Sequence, residues 1–288
     1  MAWFFVVLGL VTLLLAGDFL VRAAVNLALR LGISALVVSL TVVAFGTSAP
    51  ELLIVLSAMA DDAPGLAMGN IVGSNTANIL LVLGLPALVA GLYTTGFDTK
   101  KVFIFMILAT VLFIILAFMG PFSWWHGGLM LAVLAAILLD QAWTARRVSR
   151  VAVATEDLNG VDTSMPGWKI TLYLLFGLVG LPLGAKVLVV NAEIIAQEFG
   201  VPETAIGLTL IAVGTSLPEL ATTTVAAIRR QADVALGNVI GSNMFNLLAI
   251  IGIAALVGPI PVADEFLRFD LWVMLAASFL LIPFVFFG

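Results

Sequence analysis

The chain has 288 residues, 62% of them hydrophobic and 10% charged, with a mean hydropathy of +1.22. Soluble domains run at roughly 45–50% apolar and about 25% charged, so this chain carries too little charge to face water over its whole surface and belongs in lipid. The absence of Cys excludes disulfides and thiolate chemistry, the single His126 excludes His-pair metal sites, and the net charge of -5 argues against nucleic acid, whose binders need a basic face.

A bilayer crossing takes about 20 apolar residues at 1.5 Å each. Nine runs meet that length, in chain order 3–30, 33–60, 66–92, 101–119, 123–144, 168–197, 204–228, 234–258 and 268–287. The first lacks a basic leader and a cleavage site, so it reads as a true span. His126 opens the fifth run beside Trp124 and Trp125, which reads as an interfacial anchor. The only long polar segment, 145–167, reads as a linker too short to hold a domain and divides the chain into halves 1–144 and 168–288. Alternating the loops puts Arg30, Lys100, Lys101, Arg146, Arg147, Arg150, Lys169, Arg229 and Arg230 on one side, with only Arg268 opposite. The positive-inside rule makes the first side cytoplasmic and leaves the N-terminus outside. Asp61, Asp62, Asp264 and Glu265 then lie on the outer face as solvated loop charges.

The two halves are copies. Residues 1–120 align with 169–288 without a gap, each position meeting the one 168 further on. TVVAFGTSAPEL at 41–52 meets TLIAVGTSLPEL at 209–220, and GNIVGSNTANIL at 69–80 meets GNVIGSNMFNLL at 237–248. Five spans separate the starts of the copies, so the second enters the membrane from the opposite face, the inverted topology of secondary transporters. The second copy reaches Gly288 opposite Gly120, so the span 123–144 has no counterpart and a tenth helix is missing from this chain. The fold class is therefore all-α, multi-pass, with two inverted repeats and helices broken at a central site.

The chemistry sits in the doubled motifs. Glu51 and Glu219 stand in the middle of apolar spans, and an intramembrane acid is a functional site by default because it costs a few kcal/mol to insert. Pro50 and Pro218 each remove a backbone donor, while Gly46 and Gly214 loosen the helix just before. Carbonyls around Ala44, Thr47, Ala212 and Thr215 are expected to be freed there, and such backbone is tolerated at this depth only beside a cavity or inside protein. Asn70, Ser74 and Asn78 recur every four residues, as do Asn238, Ser242 and Asn246, which makes a polar stripe on one helix face. Ser74, Asn78, Ser242 and Asn246 read as ligands; Asn70, Asn238, Asn75 and Asn243 read as packing hydrogen bonds between helices. The ligand set is all oxygen, which suits hard cations, and two Glu balance one Ca²⁺ in charge. Asp18 and Lys186 hold equivalent positions with opposite charges and are candidates either to pair across the pseudo-twofold axis or each to sit in an aqueous crevice of a moving gate helix.

Paired GTSxPEL and GNxxGSNxxN motifs in inverted halves resemble the cation/calcium exchanger superfamily, and among its members the prokaryotic sodium/calcium exchangers. The resemblance implies an antiporter in which the second, third, seventh and eighth helices surround four ion positions. It implies that Glu51 and Glu219 are shared Ca²⁺ and Na⁺ carboxylates, with Thr47 and Thr215 offering mainly carbonyls. Ala44, Ser48 and Ser242 would line one sodium position; Ala212, Ser216 and Ser74 would line its counterpart; Asn78 and Asn246 would close the middle. Some relatives have Asp where this chain has Asn246, so two carboxylates serve here instead of three. The reading is a monomeric Na⁺/Ca²⁺ antiporter of the inner (plasma) membrane without cofactor or nucleic-acid partner, not an enzyme. The alternatives are a Ca²⁺/H⁺ antiporter on the same fold, since a desolvated carboxylate holds protons more readily, and, more remotely, a passive cation channel.

Overall fold

Lipid offers no partner to a backbone N–H or C=O, so a spanning segment without a sheet must close its hydrogen bonds within helices. The computed structural model describes residues 1–90, 97–148, 165–201 and 212–286. Among them the elements are α1 (Ala2–Leu31), α2 (Ala35–Thr47), α3 (Ala49–Ala60), α4 (Pro64–Ala90), α5 (Phe97–Phe118), α6 (Trp124–Val148), α7 (Gly167–Glu198), α8 (Ala212–Thr215), α9 (Leu217–Ile228), α10 (Ala232–Val257) and α11 (Phe266–Phe286). Seven of these helices are long and apolar enough to cross a membrane, and α2 with α3 makes an eighth span bent by 42°. The run expected at 204–228 survives as α8 and α9, its residues 204–211 lying outside the described residues, as does most of the segment 145–167.

The offset of 168 holds in the backbone. Helices α3 and α9 occupy equivalent residues, and the Ser before each has nearly the same conformation, φ -83° and ψ 4° at Ser48 against φ -87° and ψ 4° at Ser216. Beyond their C-termini, Asp62 at φ 54° matches Arg230 at φ 58°. Gly32 at φ 66° and Gly200 at φ 75° likewise turn the chain after α1 and α7 in the left-handed region that favours glycine. The chain is an all-helical membrane fold of two inverted-topology repeats.

Small residues set how the repeats meet, as they do where backbones must approach closely in a membrane. Helices α1 and α7 form one tight pair: a Cβ at Gly177 would lie 2.7 Å from that of Leu20, and one at Gly184 would lie 3.0 Å from the Leu13 nitrogen. Helix α10 is the most enclosed span, with 89% of its apolar window buried. Its Gly237 and Gly241 press on α2, where an added Cβ would lie 2.7 Å from the Leu36 carbonyl and 2.5 Å from that of Leu40. Gly241→Ala should therefore lower the melting temperature, the contact being backbone on both sides, at a cost of about 1–3 kcal/mol. Gly128→Ala in α6 meets nothing within 4 Å among the described residues and should raise it, by about 0.5–1 kcal/mol. A thermal melt of the two variants side by side checks both signs.

Two expectations change. His126 itself is buried: it stacks on Trp125, and its Nδ1 accepts the Ser123 N–H at 3.1 Å, so the exposed rings of the expected anchor are those of Trp124 and Trp125. Asp18 does not pair with Lys186; it pairs with Arg22 at 2.9 Å and with Arg229.

Candidate ion-binding site

Each GTSxPE run breaks its span at the Ser. Pro50 sits in the first turn of α3 and Pro218 in the first turn of α9, where a missing N–H costs that helix nothing. The cost falls on the preceding turn, because Pro50 has no donor for the Gly46 carbonyl and Pro218 none for that of Gly214. No backbone N–H among the described residues reaches the Thr47 carbonyl. The Ala44 carbonyl is not freed as expected, since it accepts the Ser48 N–H at 3.0 Å and the Thr47 hydroxyl at 3.3 Å. Helix α2 thus ends with its negative carbonyl pole at the break, while α3 and α9 begin there with Glu51 and Glu219 in their first turns. Carbonyl poles suit cations, and helix N-termini suit carboxylates.

Both carboxylates are 0% exposed, and among the described residues neither enters an ion pair. Ser48 donates its hydroxyl to Glu219 Oε1 at 3.4 Å, and the hydroxyls of Thr47 and Ser242 face each other at 3.5 Å. Glu219 Oε2 and both oxygens of Glu51 meet no hydrogen-bond donor among the described residues, nor does the buried Ser216 hydroxyl meet a partner. Helices α4 and α10 complete the ring. Asn78 opens a wider helical turn at Asn78–Leu83 and Asn246 lies in its counterpart, Phe245–Ile250; such π-type turns recur at functional sites. Asn246 is fully buried with both side-chain polar atoms unpartnered, and Asn78 keeps its Oδ1 open.

The other stripe residues work as scaffold. Asn238 accepts the Thr47 hydroxyl at 3.2 Å and donates to Thr223 at 3.2 Å, tying α10 to the broken helices on both sides. Asn243 accepts from Asn78 Nδ2 at 3.0 Å and donates to the Asn75 carbonyl at 3.3 Å, stitching α10 to α4. Of the residues singled out in the sequence, Ala44, Thr47, Ser48, Glu51, Ser74, Asn78, Thr215, Ser216, Glu219, Ser242 and Asn246 are all buried. Ala212 begins α8, and its side chain lies outside the described residues. Two supports escaped the sequence reading: Thr223, and Ser39, which donates to the Val234 carbonyl at 2.6 Å. Neither has a hydroxyl at the equivalent position of the other repeat, Val55 and Gly207, so the doubling that exposed the ligands gave them no signal.

Buried carboxylate oxygens without donors are expensive unless something positive meets them. Two carboxylates amid hydroxyl, amide and carbonyl oxygens match the all-oxygen shell of six to eight ligands that Ca²⁺ takes. Among the described residues no cluster of three or more His, Cys, Asp or Glu is found. Charge is thus limited to the pair, as a site that must release its ion requires.

The family model described as sodium/calcium exchanger protein matches residues 1–143 and 169–288. The chain belongs to that family. The exchanger is 33% identical over 312 residues to the sodium/calcium exchanger MaX1 of Methanosarcina acetivorans, covering 96% of this chain and 89% of that one. It is 35% identical over 258 residues to the inner membrane protein YrbG of Escherichia coli, covering 88% and 79% of the two chains. Among solved structures it matches the sodium-calcium exchanger NCX_Mj soaked with zero Na⁺ and Ca²⁺ at a TM-score of 0.84 and 30% identity, over 100% of this chain and 91% of that one. The exchanger is thus a multi-pass transporter, not an enzyme, and its activity is cation/Ca²⁺ exchange.

Proposed function

We propose that the chain exchanges Na⁺ for Ca²⁺ by alternating access at this one site. The observation that carries the reading is the pair of fully buried carboxylates, Glu51 and Glu219, at two inverted helix breaks ringed by hydroxyl and amide oxygens. One Ca²⁺ is neutralised by the pair, and the same oxygens with Ca²⁺ gone attract Na⁺, so the ions compete and competition at a site open to one face at a time becomes coupling. Glu51 and Glu219 serve both ions, with Thr47 and Thr215 beside them. Ser48 and Ser242 line one sodium position, Ala212, Ser216 and Ser74 the other, and Asn78 and Asn246 close the middle. Residues 1–144 and 168–288 act as the two halves, joined through 145–167 at the cytoplasmic face. The abundance of neutral hydroxyls favours sodium, since a proton needs only a carboxylate oxygen. The names of MaX1 and NCX_Mj support the same ion, and that of YrbG supports the inner membrane.

Proteoliposomes loaded with Na⁺ should take up radioactive Ca²⁺ on dilution into Na⁺-free buffer, and vesicles loaded with K⁺ should not. Uptake driven as well by a proton gradient without sodium would replace Na⁺ by H⁺ as the coupling ion.

A further inference from the structure

The ion pair of Asp18 has a counterpart that this conformation does not make. Asp18 lies within α1, and Arg229, whose Nε and Nη2 both meet its Oδ1, caps the C-terminus of α9, the helix that carries Glu219. Around the pair α1 rests on α9: a Cβ at Gly17 would lie 3.3 Å from the Ala221 carbonyl, and Ala221 and Val225 are buried. Leu14, Asp18, Val225, Ile228 and Arg229 line a cleft of about 460 Å³ there.

The offset of 168 carries Asp18 to Lys186 and Arg229 to Asp61. The signs exchange, yet the pair remains opposite in charge. In this structure Lys186 and Asp61 are exposed and form no ion pair among the described residues. The surface beneath them is equally unmade: Leu53, the counterpart of Ala221, is 68% exposed, and Ser57, the counterpart of Val225, is exposed. So α1 is seated on α9 while α7 is not seated on α3, although the two repeats share one backbone. A structure built from two copies of one repeat in unequal arrangements has a companion state in which the halves exchange arrangements.

We infer that Asp18–Arg229 and Lys186–Asp61 are alternating latches. The first holds α1 on α9 in the state described here, and the second holds α7 on α3 in the opposite state. The inference deepens the alternating-access reading and rests on it. Arg22 faces Asp18 from its own helix at 2.9 Å, which leaves Asp18 partnered and oriented when Arg229 departs.

The chain contains no Cys, so thiols can be added in pairs to an otherwise unreactive protein. Asp18→Cys with Arg229→Cys, and separately Lys186→Cys with Asp61→Cys, should each cross-link in proteoliposomes with a bifunctional thiol reagent about as long as an Asp–Arg pair. Each cross-link should stop at least nine-tenths of the Ca²⁺ flux. Reaction of the first pair alone, in a protein whose unmodified flux is normal, overturns the inference. Absence of flux in the unmodified chain would instead count against the transport reading, and cross-linking of the second pair would still report the companion state. Asp61→Asn, on an exposed residue that folding does not need, should slow flux about twofold to fivefold, the range of a partly exposed ion pair. Unchanged flux would leave Asp61 a solvated loop charge and overturn the latch.

Discussion

Glu51→Gln and Glu219→Gln are each expected to abolish Ca²⁺ exchange while making the ion-free protein harder to melt. Both carboxylates are 0% exposed and lie within electrostatic reach of each other, with no basic partner among the described residues. Removing one leaves bound Ca²⁺ with an uncompensated unit charge in a buried site, a penalty of about 3–5 kcal/mol. At about 1.4 kcal/mol per decade that is roughly two to three and a half decades of affinity. Without the ion the sign reverses, because Gln keeps the shape of the carboxyl and cannot carry the charge that full burial beside a second acid makes costly. Calorimetric melts in chelator and in millimolar Ca²⁺ separate the two effects. The unmodified protein should gain melting temperature from Ca²⁺, as any ligand that binds only the native state confers, and the variants should gain almost none. A variant that loses flux but keeps the full Ca²⁺-dependent shift would remove that carboxylate from the ion site.

The candidate site was legible because its residues recur in symmetric pairs, as the scaffolding Asn75 and Asn243 also do, whereas Thr223 and Ser39 have no hydroxyl counterpart. Glu51 and Glu219, Ser74 and Ser242, and Asn78 and Asn246 recur at one offset, and all six are buried in the structure. Pro50 and Pro218 announced the breaks, and Ser48 and Ser216 take the non-helical conformations. What stayed hidden depends on which faces of distant helices meet. Asp18 was matched with Lys186 because symmetry relates them in sequence, whereas in space α1 lies against α9 and offers Asp18 to Arg229. The Ala44 carbonyl was expected to open with the turn before Pro50; the missing donor belongs to Gly46, two residues further on, and Ser48 still closes the turn on Ala44. The wider turns at Asn78–Leu83 and Phe245–Ile250 have no sequence mark, since an extra residue per turn is tolerated wherever neighbouring helices fill the gap.

Gly46→Ala is expected to slow transport while leaving Ca²⁺ binding nearly intact, the reverse of the Glu variants. Helix α7 touches both broken spans at their glycines: Leu178 sits directly on Gly46, and a Cβ at Gly214 would lie 2.7 Å from Val189 Cγ2. An alanine inside a helix is ordinarily favoured over glycine by about 0.5–1 kcal/mol, so any loss must come from the contact. The α2 side is held, because Thr47, Ser48 and Glu51 just beyond are buried, so the Leu178 side chain of α7 must give way. Overpacking of this kind costs about 1–3 kcal/mol. If that cost falls on the seated arrangement of α7, flux drops about fivefold to a hundredfold at 1.36 kcal/mol per decade, whereas no ligand oxygen has changed and the Ca²⁺ dissociation constant stays within about threefold. Trimming the partner supplies the control: Gly46→Ala combined with Leu178→Ala reopens the space and should return most of the flux. Binding and flux that fall together would mean that Gly46 acts through the geometry of the ligands. Flux that survives the single substitution would mean that α7 need not seat on the break for the site to change sides.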